Sequence, residues 1–142
     1  MAIELFINFT GNCREAVEFY AEVFKTEAPQ IMTYGDTPAQ SDQVFPMFEE
    51  MKDKIMCASL NIKGTNVMFQ DVFPGMPVAV GDNVNLTLTL DSKEEVQAIF
   101  EALKEGGAVG MELQETFWSK YYGAVKDKFG LCWQFNYIEK AS

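Results

Sequence analysis

The chain contains no histidine. That absence removes the side chain that most often serves as a general base near neutral pH and most often binds transition metals. Cysteine is sparse: Cys13, Cys57 and Cys132 are the three in 142 residues. An odd count with no CxxC spacing argues against a disulfide framework and against a zinc knuckle. No run approaches the roughly 18 uninterrupted apolar residues that a membrane span requires. The opening MAIELFINF alternates like a strand and is not a charged stretch followed by a long apolar run. Positive charge is also short: 11 Lys and Arg stand against 21 Asp and Glu, a net charge of -10. That balance repels phosphate backbones and anionic membranes. The expectation is a cytoplasmic protein with no nucleic-acid and no membrane partner.

What is present is ordinary for a globular domain. Hydrophobic residues make up 48% and charged residues 23%, the usual proportions. A chain of this length buries roughly 70% of its extended surface, enough for one core. Ile3 to Phe9 alternates and reads as a strand. Asn12 stands three residues before Glu15, the spacing of a capping box. Ala16, Phe19, Tyr20, Val23 and Phe24 then recur at helical spacing, which predicts an amphipathic helix to about Lys25. Strands follow near Gln30–Tyr34, Lys54–Ile62 and Asn66–Asp71, and the turn Lys63-Gly64-Thr65-Asn66 between the last two suggests a hairpin.

The same order then recurs. Asn83 to Leu90 alternates, and Asp91 and Ser92 precede Glu94 and Glu95 at cap spacing. A helix to about Lys104 carries Val96, Ile99, Phe100 and Leu103 on one face, and Gly106-Gly107 ends it. Strands follow at Val109–Leu113, Tyr122–Asp127 and Cys132–Tyr137. Glu15, Val17, Glu22 and Phe24 match Glu94, Val96, Glu101 and Leu103 at an offset of 79 residues. The expected fold is α+β: two tandem β-α-β-β-β modules forming a curved, barrel-like mixed sheet around a concave cleft, with helices outside. Module one spans about 1–73, a connector with Pro74 and Pro77 about 74–82, and module two about 83–142, within one domain. The irregular Gly35–Met51 stretch is longer than most loops, as lids and interface segments are.

The phrases GNCREAVEFYAEVFK, KDKIMCASL, TFWSKYYGAVKDKFG and LCWQFNY resemble the PhnB-like branch of the vicinal oxygen chelate superfamily, which includes glyoxalase I, bleomycin-resistance proteins and extradiol dioxygenases. The resemblance spans essentially the whole chain. It implies paired β-α-β-β-β modules and a homodimer. Some relatives carry a demethylubiquinone methyltransferase label, but no glycine-rich strand-to-helix turn of the kind that holds a methyl-donor nucleotide is seen here. Carried over by alignment, the superfamily's metal-ligand positions fall on Leu5, Asn85, Gln134 and Phe69 or its neighbour Gln70. None offers an imidazole or a carboxylate, and neutral amides are poor ligands for zinc, nickel or iron. The expectation is therefore no metal and no cofactor. Relatives often place a histidine where Cys57 stands; here Cys57 is a weak candidate nucleophile that would need a nearby base, and a small packing residue on the bland reading.

Strand parity proposes the ligand face. Asn85, Thr87 and Thr89 oppose Leu86, Leu88 and Leu90. Cys132, Gln134 and Asn136 oppose Trp133, Phe135 and Tyr137. Cys57, Ser59 and Asn61 oppose Met56, Ala58 and Leu60, while Leu5, Ile7 and Phe9 are expected to wall one side. The first-named set of each pair is expected on the concave face and the second under the helices. With that wall, Phe69, Trp118 and Tyr122, the concave set is expected to line a half-apolar cleft for a small, largely uncharged organic molecule. Each has a bland counterpart. Polar residues on a sheet face often meet only water. The Phe117, Trp118, Tyr121, Tyr122 cluster suits a core or dimer contact as well as a lip. Glu49, Glu50 and Asp53 alternate with Lys52 and Lys54 as a solvated loop does, and Met47, Met51 and Met56 suit core filler.

Three functions remain open: a metal-free, ligand-binding homodimer; a lyase or isomerase acting on a small carbonyl or aromatic substrate with Cys57, Glu115 or Tyr122 as base; and a scaffold kept only for assembly.

Overall fold

The structure, a computed structural model, describes residues 3–36 and 48–139. Most of the Gly35–Met51 stretch, including Met47, lies outside them. The chain divides into two compact units, Met1–Val78 and Ala79–Ser142, and the fold is α+β with one β-α-β-β-β plan used twice.

In the first unit the elements are β1 (Leu5–Phe9), α1 (Cys13–Phe24), β2 (Gln30–Thr33), a 3-10 turn at Tyr34–Asp36, the short α2 (Phe48–Met51), β3 (Ile55–Ile62) and β4 (Thr65–Asp71). The sheet order is β1-β4-β3-β2, with β1 parallel to β4 and the other pairs antiparallel. The hairpin between β3 and β4 turns on two residues of positive φ, Lys63 (53°) and Gly64 (92°), the type I′ geometry that matches strand twist.

The second unit runs β5 (Asn85–Leu90), α3 (Lys93–Lys104), β6 (Ala108–Gln114), β7 (Tyr122–Lys126) and β8 (Cys132–Tyr137), ordered β5-β8-β7-β6. Here β5 is parallel to β8.

Each helix covers one face of its own sheet. On α1 the buried residues are Cys13, Ala16, Val17, Tyr20 and Phe24, while Phe19 and Val23 are half-buried. Tyr20 stacks on Phe69 of β4 with ring centroids 5.9 Å apart. On α3 the buried set is Val96, Ile99, Phe100 and Leu103, and Phe100 meets Phe135 of β8 edge-on. Burying side chains of this size stabilises by about 1.5–3 kcal/mol each before the loss of chain entropy is counted.

The two helices start differently. Ser92 caps α3 as its spacing predicts, accepting a hydrogen bond from the Glu95 amide at 3.2 Å. Asn12 makes no side-chain cap. The amides of Gly11 and Cys13 are instead taken by Oδ1 of Asp71, at 2.8 and 3.0 Å, from the far end of β4. Among the described residues no helix is long and apolar enough to cross a membrane.

Candidate functional site

The helix-free face of each sheet carries the polar side chains that chemistry would use. In the second unit, Thr87 of β5 lies beside Gln134 of β8, and the Thr87 hydroxyl donates to Gln134 Oε1 at 3.2 Å. Asn85 is in register with Cys132, and Thr89 with Asn136. Asn85, Thr87 and Thr89 are exposed while Leu88 is buried. Tyr122 enters this face opposite Asn136. Trp118 meets Tyr122 edge-on at 5.4 Å, and Phe117 meets Trp118 edge-on at 4.7 Å. The turn that presents these rings is braced from below. The Thr116 amide donates to Ser119 O, the Ser119 amide donates to Thr116 Oγ1, and Ser119 Oγ lies 2.5 Å from Asn136 Oδ1.

The first unit repeats the pairing at the matching place. Gln70 of β4 donates from Nε2 to Asn8 Oδ1 of parallel β1 at 2.6 Å. Ser59 is in register with Met68 and with Gln30, Cys57 with Met32, and Asn61 with Asn66.

Asn85, Thr87, Gln134 and Tyr122 thus share one face, with Trp118 against it, and Cys57 and Ser59 share another. Leu5, Ile7 and Phe69 do not join them. The parallel register sets Leu5 beside Val67, Ile7 beside Phe69 and Phe9 beside Asp71. Val67 and Phe69 are buried beneath α1, so paired residues of β1 point the same way. The residues of β1 on the helix-free face are Phe6 and Asn8. Of the two alternatives on β4, Gln70 faces outward and Phe69 inward. On β3 the register slips between Met32 and Thr33, so Ile55 is buried although it is two residues from Cys57.

Two buried carboxylates that composition alone does not single out turn out to hold the backbone. Asp71 accepts from Gly11, Cys13 and Ile55 amides, and its own carbonyl accepts from the Tyr34 hydroxyl at 2.8 Å. Asp127 accepts from the amides of Phe129 and Leu131 and from Trp133 Nε1 at 2.8 Å. With their oxygens committed to N–H donors, neither carboxylate is arranged to act on a ligand. Beside Asp71, burial pushes the Cys13 thiol up from 9.0 to about 12, with the Asp71 charge adding to the effect and Cys57 after it. Tyr34 is raised as well, by burial first and then by the same charge. The one sequence signal for the Asp127 role is Gly130, whose φ of 91° closes the turn between Asp127 and Leu131.

Among the described residues, no three of His, Cys, Asp and Glu stand together as a metal-binding group. The facing donors are amides and hydroxyls, and Gln134 Oε1 and Asn8 Oδ1 already accept hydrogen bonds from neighbours.

The chain matches the model of the 3-demethylubiquinone-9 3-methyltransferase family over residues 1–136. It is 30% identical to protein YjdN of Escherichia coli strain K12, over 99% of this chain and 97% of that one. Protein PA1353 of Pseudomonas aeruginosa is similar in structure at a TM-score of 0.79 and 32% identity, covering 98% of this chain and 100% of that chain. A glyoxylase, bleomycin resistance protein and dioxygenase domain from Frankia sp. EAN1pec shares the fold at a TM-score of 0.63 and 12% identity, covering 96% of each chain.

Proposed function

The chain belongs to the 3-demethylubiquinone-9 3-methyltransferase family, within the PhnB-like part of the vicinal oxygen chelate superfamily, and from that premise we propose that it is a metal-independent binding protein for a small, uncharged organic molecule. The observation that carries this reading is the matched pair of neutral clamps, Asn8–Gln70 and Thr87–Gln134, on the helix-free faces. A transition metal does not fit this donor set. Side-chain amides are weak, neutral ligands, and two of their oxygens are already engaged. Uncharged ligands with a carbonyl or hydroxyl suit it better, because an amide both donates and accepts. The methyl transfer named in the family's description finds little support in the strand-to-helix turns. These are Thr10-Gly11-Asn12 and Asp91-Ser92, not the glycine-rich turn that brings backbone amides against a nucleotide phosphate.

The proposal includes a homodimer. Phe6, Met32, Val84, Phe117 and Trp118 are exposed in the single chain, and a second copy is the economical cover for large apolar side chains of this kind. The lyase or isomerase reading would take its base from Cys57, Glu115 or Tyr122. Beside Cys57, burial pushes the Cys13 thiol up to about 12, so it stays protonated at neutral pH and does not activate Cys57 as a nucleophile.

The test is thermal unfolding of the tag-free protein with nickel, zinc and iron salts and with a panel of uncharged and charged metabolites. The expected result is an unmoved midpoint with the metals and a raised one with an uncharged compound; a ligand at 100 times its Kd adds about 2.7 kcal/mol. Retention of stoichiometric nickel or iron through purification would overturn the reading.

A further inference from the structure

We propose that the first unit carries a separate binding site for a small uncharged polyol at the hairpin end of its sheet. A cavity of about 420 Å³ opens there, walled by Glu27, Gln30, Ser59, Asn61 and Asn66. That volume lies within the roughly 300–1,000 Å³ of small-ligand pockets.

The wall is set by strand register. Gln30 pairs with Ser59 and Asn61 pairs with Asn66, which brings three adjacent strands to one patch of the helix-free face. Asn61 is already oriented, because its Oδ1 accepts the Gly64 amide at 2.8 Å. Its Nδ2 hydrogens are left for a ligand. Among the described residues, the side chains of Gln30, Ser59 and Asn66 make no hydrogen bond to another protein group, and Gln30 and Asn66 face solvent. Asn66 is four residues from Gln70 along β4, about 13 Å at strand spacing, so this patch is distinct from the Asn8–Gln70 clamp.

The donor and acceptor balance identifies the ligand class. Three amides and a hydroxyl both donate and accept, and hydroxyl groups answer both roles. Glu27 is the one charged residue on the wall. Its carboxylate accepts from hydroxyls and repels anions, as does the net charge of -10. An ammonium group would satisfy Glu27 but leave the amide and hydroxyl donors without acceptors.

The test is a two-dimensional amide NMR titration of the full chain with myo-inositol, glucose 6-phosphate and ethanolamine. Saturable inositol shifts confined to Gln30, Ser59, Asn61, Asn66 and their neighbours are expected, with little response to the two charged compounds. Asn66→Ala and Gln30→Ala should each weaken inositol binding about tenfold, the scale of a lost hydrogen bond to a ligand. Glu27→Gln should narrow the gap between inositol and glucose 6-phosphate. These side chains are at the surface, so the variants keep the wild-type spectrum. No saturable inositol shift, shifts elsewhere, tighter binding of ethanolamine, or unchanged affinity in both alanine variants would overturn the proposal. Shifts centred on Asn8, Gln70, Thr87 and Gln134 would overturn this proposal and support the clamp reading, and the other outcomes leave that reading untouched because it rests on different residues.

Discussion

Asp71→Asn tests whether a carboxylate from β4 starts the first helix. Asp71 is buried at 1% exposure, and its two oxygens take three backbone amides: Gly11 and Cys13 on Oδ1, and Ile55 on Oδ2 at 3.0 Å. In asparagine, the carbonyl oxygen keeps the two helix amides, but the new NH2 group faces the Ile55 N–H. One hydrogen bond to a charged acceptor, about 1.5–3 kcal/mol, is lost, and a buried donor is left without a partner. The two surviving bonds become neutral and weaker. Against this stands the lower cost of burying an amide than an ion. The net expectation is a loss of about 3 kcal/mol. Urea unfolding followed by far-ultraviolet circular dichroism should show the midpoint falling by about 1.5 M at an unchanged slope near 2 kcal/mol/M. Hydrogen exchange should quicken at Gly11, Cys13 and Ile55. The companion variant Asn12→Ala removes the residue that occupies the cap position but makes no cap, and should cost less than about 0.3 kcal/mol instead of the usual 1. A reversed ranking of the two variants would refute the assignment of the cap to Asp71.

Cys13 predicts an alkaline weakness. The unfolded thiol ionises near 9.0 and the folded one only near 12, so the unfolded chain gives up the proton first and stability falls across that window. Thermal midpoints measured from pH 8 to 11 should decline in the wild type, and the decline should be shallower in Cys13→Ala once its own offset is subtracted. Asp127→Asn should cost about 2 kcal/mol, because the new NH2 group meets the indole N–H of Trp133, now bonded to Oδ2; Trp133 emission during urea unfolding is the readout. Gly107→Ala should be destabilising by about 2–3 kcal/mol. An added Cβ there overlaps the Lys126 carbonyl oxygen and comes within 3.0 Å of Asp127 Cα, which calorimetry can check. A variant of either glycine or aspartate that unfolds at the wild-type temperature would contradict its argument.

Local signals were readable in the chain and distant ones were not. Ser92 and the amide it caps lie three residues apart, so spacing reveals the cap. Asp71 serves Cys13 from 58 positions away, and no window along the sequence contains both. The hairpin at Lys63-Gly64 and both helix faces follow from period and glycine placement. The face of β1 does not, because Leu5, Phe6 and Ile7 are all apolar and alternation is then silent about which side meets α1. Only the pairing with β4 decides it. Parity also assumes an unbroken strand, and the slip opposite Met32 and Thr33 breaks that assumption at Ile55. On β5 and β8, where polar and apolar residues alternate strictly, the same rule places Asn85, Thr87 and Gln134 correctly on one side.

Asp71 and Asp127 give the two most recognisable phrases of this chain an architectural meaning. Gly11-Asn12 with its following helix, and Asp127-Lys128-Phe129-Gly130 ahead of Trp133, are instructions for where a helix begins and how a strand doubles back. Proteins can inherit both intact and still carry different cargo, since the residues free to diverge sit on surfaces that neither phrase touches.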